Sequence, residues 1–197
     1  MADAPVHGLL LAGGASRRMQ RDKAGLEYAG EPQLLRAWQV LTAVTGHAFV
    51  SVGPAQRDDP LRARFPRIVD AGEAAGPMAG ILSAQGEYPG IAWLVIACDL
   101  PRLDAAPLTG LLAMRDPSKD VTAYLGDRDA LPEPLCAVWE PSSHSVVKRH
   151  CALGDYSLRR ALGQLEVQAL PAPGEALDNV NTPEEFERMR HRLESAQ

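Results

Sequence analysis

Short apolar runs alternate with longer amphipathic stretches along this chain. Val6 to Ala12 is the first run and predicts a strand that ends in a glycine turn. From Pro32 onward, Leu34, Leu35, Trp38 and Leu41 recur at helical spacing and predict one buried helical face. Phe49 to Val52 predicts a second strand, Ile68–Val69 a short third, and a helix begins near Gly76–Pro77. Ile91 to Cys98 is apolar throughout, the pattern of a strand whose two faces are both covered by helices. Asp104 is placed to cap a helix that turns Leu108, Leu111 and Leu112 inward. Val121 to Leu125 and Leu135 to Trp139 predict two more strands. Thr182-Pro183-Glu184-Glu185 combines an N-cap, a proline at the first helical position and a capping-box glutamate, ahead of a stripe of Phe186, Met189 and Leu193.

This order of elements predicts an α/β fold of three layers, a mostly parallel sheet flanked by helices. The PAPG segment at 171–174 is too short for a domain linker, and no internal repeat or low-complexity tract interrupts the pattern. Residues 1–197 are therefore expected to form a single domain, a length that can bury a substantial core.

Composition narrows the functional classes. A hydrophobic fraction of 46% and a charged fraction of 23% are ordinary for a globular protein. The formal net charge of −5 argues against broad charge-driven binding to nucleic acid or anionic membrane, though not against a small anionic ligand. No apolar run reaches the ~18–20 residues of a membrane span. The start, MADAPVHGLLLAGG, lacks a basic n-region, so its apolar run reads as a strand and not as a signal peptide. Cys98, Cys136 and Cys151 show no paired spacing and fit reduced thiols in a cytoplasm, acting as small core hydrophobes. The five histidines show no zinc spacing and are expected at the surface.

The most informative segment is LLLAGGASRRMQRDK, Leu9 to Lys23. Gly13-Gly14 lets the backbone turn sharply and bring its N–H groups close to phosphate oxygens, where a Cβ would obstruct. Arg17, Arg18 and Lys23 add positive charge beside such an anion. The segment is neither a Walker A loop nor G-x-G-x-x-G, and on chemistry alone a tight turn followed by a solvated basic face is the competing reading. Asp99 follows the fully apolar strand and so sits at its carboxyl end, where open α/β sheets bind ligands; a turn aspartate is the competing reading there. Gly76-Pro77-Met78-Ala79-Gly80 starts a helix, and its small residues also allow a purine ring close to the backbone.

LAGG-x-S-R-R-M-x-x-D-K resembles the signature of nucleotidyltransferases built on a Rossmann-like, glycosyltransferase-A-type sheet. GPMAG at 76–80, ACDLP at 97–101 and DNVNTPEEF at 178–186 follow in order, and together they resemble the molybdenum cofactor guanylyltransferases. The resemblance spans Leu9 to Phe186, with Gln20 standing where the family usually has glycine. It implies transfer of GMP from GTP to the terminal phosphate of molybdopterin, with Mg²⁺ as cofactor. Leu11, Ala12, Gly13 and Gly14 would contact the nucleotide through the loop, Lys23 would meet the triphosphate, and Asp70, Gly76 and Gly80 would lie near the guanosine. Asp99 would hold Mg²⁺, so that Arg17, Lys23 and Asp99 are the candidate catalytic residues. Asn179 and Asn181 would line the pterin side of the cleft, their amides left free because Thr182 and Glu185 cap the following helix; Glu133 to Cys136 would border the same substrate. LAGG with GPMAG favours guanine over the LAAG pattern of related cytidylyltransferases. The remaining alternatives are CTP or a sugar or alcohol phosphate as substrate, and a non-catalytic nucleotide-binding protein. The expected setting is cytoplasmic, as a monomer or weak oligomer, with cofactor-biosynthesis or molybdoenzyme-maturation proteins as the class of protein partner.

Overall fold

The computed structural model describes residues 3–13, 22–72, 74–127 and 129–195. The first strand, β1 (Val6–Leu11), is followed by a two-stranded ribbon, β2 (Glu27–Tyr28) and β3 (Glu31–Pro32), and then by α1 (Gln33–Thr42). Next come β4 (Ala48–Val52), β5 (Arg67–Val69), α2 (Pro77–Glu87), β6 (Ala92–Ala97) and α3 (Ala105–Ala113). The second half holds β7 (Val121–Leu125), β8 (Pro132–Trp139), α4 (His144–Ala152), α5 (Leu158–Leu162), β9 (Val167–Leu170) and α6 (Pro183–Glu194). Seven strands form one sheet in the order β5-β4-β1-β6-β8-β7-β9. β1 pairs in parallel with both β4 and β6, and among the described strands of this sheet β8 alone runs against its neighbours.

The alternation within β6 explains the layers. All six of its residues are buried. Ala92, Leu94 and Ile96 join Leu34, Leu41, Leu108 and Leu111 of α1 and α3 on one face. Trp93 and Val95 join Met78, Ile81, Val147 and Leu158 of α2, α4 and α5 on the other. A strand read on both faces in this way needs an unbroken apolar run, because side chains alternate across the sheet. Asp104 caps α3, its carboxylate accepting from the Ala106 N–H at 2.9 Å. No helix among the described residues is long and apolar enough to cross a membrane.

A third, smaller cluster packs α6 on the ribbon. Leu26 and Tyr28 meet Val180 and Met189, with Phe186 and Leu193 at the margin. The Tyr28 and Phe186 rings meet edge-on, centroids 5.2 Å apart. This cluster decides the site, because Lys23 lies just before β2 and Asn181 just before α6.

The expectation that the histidines lie at the surface is corrected at two of them. His150 is buried, with Nδ1 3.2 Å from Asp155 Oδ2, because α4 turns its Val147–His150 face onto the body of the protein. His7 is half-buried against His47, Phe49, Tyr88 and Trp93; burial, and then the neighbouring His47, hold its pKa below the usual imidazole value. Cys98 and Cys136 lie in the core as expected, and burial pushes both thiols up to about 12.

Candidate active site

The carboxyl ends of β1, β4, β5 and β6 lie side by side and gather the candidate residues along one edge of the sheet. Cross-strand bonds fix the register there. The Ala12 N–H donates to Ser51 O at 3.1 Å, the Cys98 N–H to Leu11 O at 3.1 Å and the Asp70 N–H to Val52 O at 2.8 Å. A Cβ added to Gly13 would stand 3.2 Å from the Gly53 nitrogen and 3.4 Å from Asp70 Oδ2, so the loop start and Asp70 face each other closely. Gly14, Arg17 and Arg18 lie outside the described residues.

Lys23 joins two segments distant in sequence. Its Nζ donates to Asp99 Oδ2 at 2.8 Å and to Asn181 Oδ1 at 2.7 Å. The side chains of Lys23 and Asp99 are 20% and 22% exposed, open enough for an incoming anion to compete for the ammonium. Asn181 arrives here because the Val180 N–H donates to Asp99 O at 3.1 Å, docking the 178–182 segment on the strand end. Thr182 and Glu185 form the capping box of α6 as read from the sequence. Glu185 Oε2 also accepts the Asn181 backbone N–H at 2.7 Å, so backbone and side chain of Asn181 serve different partners. The Asn181 amide is thus engaged by Lys23, where the sequence had suggested it was free.

Asp70 forms the opposite wall. The Ser51 hydroxyl donates to its Oδ1 at 2.7 Å. Burial raises the Asp70 pKa above the usual carboxylate range, and the Ser51 hydrogen bond opposes that rise only in part. Gly76 precedes α2 at φ +65°, a left-handed conformation that suits glycine. A Cβ on Gly80 would lie 2.3 Å from Ser51 Oγ and 2.7 Å from Leu11 Cδ2. The absence of a side chain at Gly80 therefore lets α2 pack onto β1 and β4, which holds Ser51 against Asp70.

Sequence reasoning missed Arg62. It lies in a short 3-10 turn, Arg62–Arg64, and is 1% exposed. Its Nε and Nη2 donate to Ala12 O at 3.1 and 2.9 Å, and Nη1 and Nη2 grip the two carboxylate oxygens of Asp22 at 2.7 and 2.8 Å. Burial alone would disfavour the ionised form of Asp22; the Arg62 hydrogen bonds and charge outweigh it and hold that carboxyl below its ordinary range. Residues 57–64 carry mixed charges in a proline-punctuated stretch, and nothing local in the sequence marks one arginine as buried.

A cavity of about 190 Å³ is lined by Asp127, Asp129, Glu133, Arg159, Asp178 and Asn179 among others. Arg159 pairs with Asp129 and, at 3.2 Å, with Glu133. Glu133 stands at the start of β8, the reversed strand, whose amino end therefore lies beside the carboxyl ends of its neighbours.

Among the described residues there is no cluster of three His, Cys, Asp or Glu side chains able to hold a metal. Asp99 offers one carboxylate, already beside a cation. That fits Mg²⁺, which commonly takes one or two carboxylates and completes its shell with substrate phosphates and water.

The profile of the MobA-like NTP transferase domain matches residues 8–169. The molybdenum cofactor guanylyltransferase of Pseudomonas aeruginosa strain PAO1 is 34% identical over 91% of this chain and 92% of its own. The molybdenum cofactor biosynthesis bifunctional protein of Synechocystis is 32% identical over 94% of this chain, which spans about half (54%) of that protein's length. The crystal structure of molybdopterin-guanine dinucleotide biosynthesis protein A from Archaeoglobus fulgidus shares the fold, with a TM-score of 0.83 at 20% identity over 96% of this chain and 99% of that one. Lys23, Arg62, Asp70 and Asp99 all fall within the matched span, and the chain belongs to the MobA-like NTP transferase family of nucleotidyltransferases.

Proposed function

We propose that the protein, acting as a single domain, transfers GMP from GTP to the terminal phosphate of molybdopterin, releasing pyrophosphate and forming the guanine dinucleotide cofactor. The observation that carries this reading is the position of Lys23, one ammonium held between Asp99 at the end of β6 and Asn181 at the start of α6. It would meet the triphosphate by exchanging one of these partners for phosphate oxygens. The backbone of Leu11, Ala12 and Gly13 would approach the same phosphates, and Asp70 with the Gly76–Gly80 segment would bound the guanosine.

The acceptor phosphate is anionic near neutral pH, so its oxygen attacks the α-phosphorus without a dedicated base. The bond from that phosphorus to the pyrophosphate oxygen breaks as the new one forms. Asp99 would hold Mg²⁺, which when bound supplies charge neutralisation at the phosphates. Lys23 would stabilise the charge that moves onto pyrophosphate, and the rest of the protein's contribution is alignment. The cavity beside Asn179 suits the acceptor's ring, because Glu133 and Asp178 are acceptors for ring N–H donors.

The test is a thermal-shift panel of GTP, CTP, ATP and UTP with Mg²⁺, followed by pyrophosphate release with molybdopterin. GTP is expected to give the largest stabilisation, since a ligand of the folded state raises its apparent stability with affinity. Equal or greater activity with CTP would overturn the guanine assignment.

A further inference from the structure

We infer that Arg62 is a positioning residue for nucleotidyl transfer, one that fixes the turn carrying Lys23 to the end of β1. The inference rests on the reading of Lys23 as the lysine that meets the triphosphate.

Arg62 spends its donors on two places that the chain must hold together. One is Ala12 O, the first carbonyl after β1, itself anchored because the Ala12 N–H donates to Ser51 O at 3.1 Å. The other is the carboxylate of Asp22, the residue before Lys23. Asp22 in turn is the cap of the Lys23–Gly25 turn, its Oδ1 accepting the Ala24 N–H at 3.1 Å. A continuous path of hydrogen bonds therefore runs from β4 through Ala12, Arg62 and Asp22 to the backbone of the turn that presents Lys23 to Asp99. Asp59 takes the remaining face of the guanidinium, with Oδ1 3.1 Å from Nη1.

The geometry requires arginine. A planar fork can meet a carbonyl with one edge and both oxygens of a carboxylate with another, whereas a lysine offers one compact charge. A charge buried only for stability needs a counter-charge anywhere nearby, and Asp59 alone would serve. The choice of Ala12 and Asp22, on either side of the candidate phosphate loop, ties this guanidinium to the nucleotide.

The test uses Asp22→Asn, Arg62→Lys and Lys23→Ala, with kcat, KM for GTP and melting temperature measured on each. The Asp22 side chain is 46% exposed and Asp59 stays beside Arg62 as its counter-charge, so Asp22→Asn should shift the melting temperature only modestly. Its kcat/KM for GTP should fall about tenfold or more, the scale on which small misplacements of an aligned group act. Arg62→Lys should show the same loss per folded molecule although the charge is kept. In the Lys23→Ala background, Asp22→Asn should cost almost nothing further, because its effect passes through Lys23. Parental kcat/KM per folded molecule in both Asp22→Asn and Arg62→Lys, with Lys23→Ala impaired, overturns the inference alone. A loss from Asp22→Asn that persists undiminished without Lys23 also overturns it. Parental kinetics in Lys23→Ala instead overturn the reading of Lys23 itself.

Discussion

Two arginines, Arg62 buried and Arg115 partly buried, grip the two ends of the central strand β1, and they have different partners. Arg115 takes Ala4 O, ahead of the strand, with Nη1 at 2.9 Å; Arg62 takes Ala12 O, after it. Both spend the rest of the fork on a carboxylate. Arg115 holds Glu140 through Nε–Oε1 at 2.6 Å and Nη2–Oε2 at 2.7 Å, and that pair is 11% and 4% exposed. Glu140 follows β8, so the pair joins the amino edge of the parallel strands to the end of the reversed one and goes no further. The partner of Arg62, Asp22, is half-exposed and caps the turn that carries Lys23. The same chemistry closes the sheet at one edge and, on the inference above, positions a side chain at the other. What differs is whether the carboxylate is a terminus or a relay.

Each edge can be tested by removing one side chain. The largest effect is expected at the closed edge. Glu140→Gln leaves the largely enclosed Arg115 charge without its counter-ion; removing one partner of a fully buried pair costs about 3–5 kcal/mol, and this pair should approach the lower end. Chemical denaturation should register that loss while kcat per folded molecule stays at the parental value; a change in kcat instead would mean that the two edges are coupled. Lys23→Ala should lower turnover about 10²-fold, the scale for one preorganised charge donor in a phosphate site. Its denaturation midpoint should move far less than that of Glu140→Gln, since Lys23 is only partly buried; steady-state kinetics and unfolding on one preparation check both halves.

The smallest effect concerns Asp70. Its pKa is raised in the folded state by burial, so the unfolded chain ionises this carboxyl at a lower pH than the native protein does. Above the native pKa the ionised group costs stability, and below the unfolded value, about 3.9, that cost vanishes. Asp70→Asn should accordingly raise the melting temperature at about pH 8, with the gain shrinking as the pH falls toward about 4. A melting temperature unchanged, or lowered, at the higher pH would show that the Ser51 hydrogen bond fully compensates the buried charge.

Much of this layout was legible in the sequence, and the reasons for the gaps are physical. β6 announced itself because burial on both faces demands an unbroken apolar run, and α6 because Thr182, Pro183 and Glu185 are all local signals. β9, α4 and α5 went unread. β9 is a half-exposed edge strand of four residues, and in α4 only Val147 and His150 are buried, too few to set a period. At the site, Lys23, Asp99 and Asn181 were named individually from a family resemblance, yet their meeting at one ammonium was not visible, since it depends on the small core between α6 and the β2–β3 ribbon. Arg62 left no trace because its partners, a backbone carbonyl and an aspartate distant in sequence, have no local periodicity.

The reversal of β8 has a consequence for how such an enzyme can be adapted. Running one strand backward places the described residues of the β7–β8 connection, 126–127 and 129–131, on the same rim as the carboxyl ends of β1 and β6, where Asp127 and Asp129 line the cavity beside Asn179. A parallel strand in that place would have to return through a long crossover packed into the core, and any change in its length would disturb the layers. A hairpin tip is a margin: changes in its length are expected to leave Lys23, Asp70 and Asp99 in place, because exposed loop tips tolerate insertions. On the proposed function, the half of the cleft that would face the acceptor is in this sense upholstery, and the half that would face the nucleotide is frame.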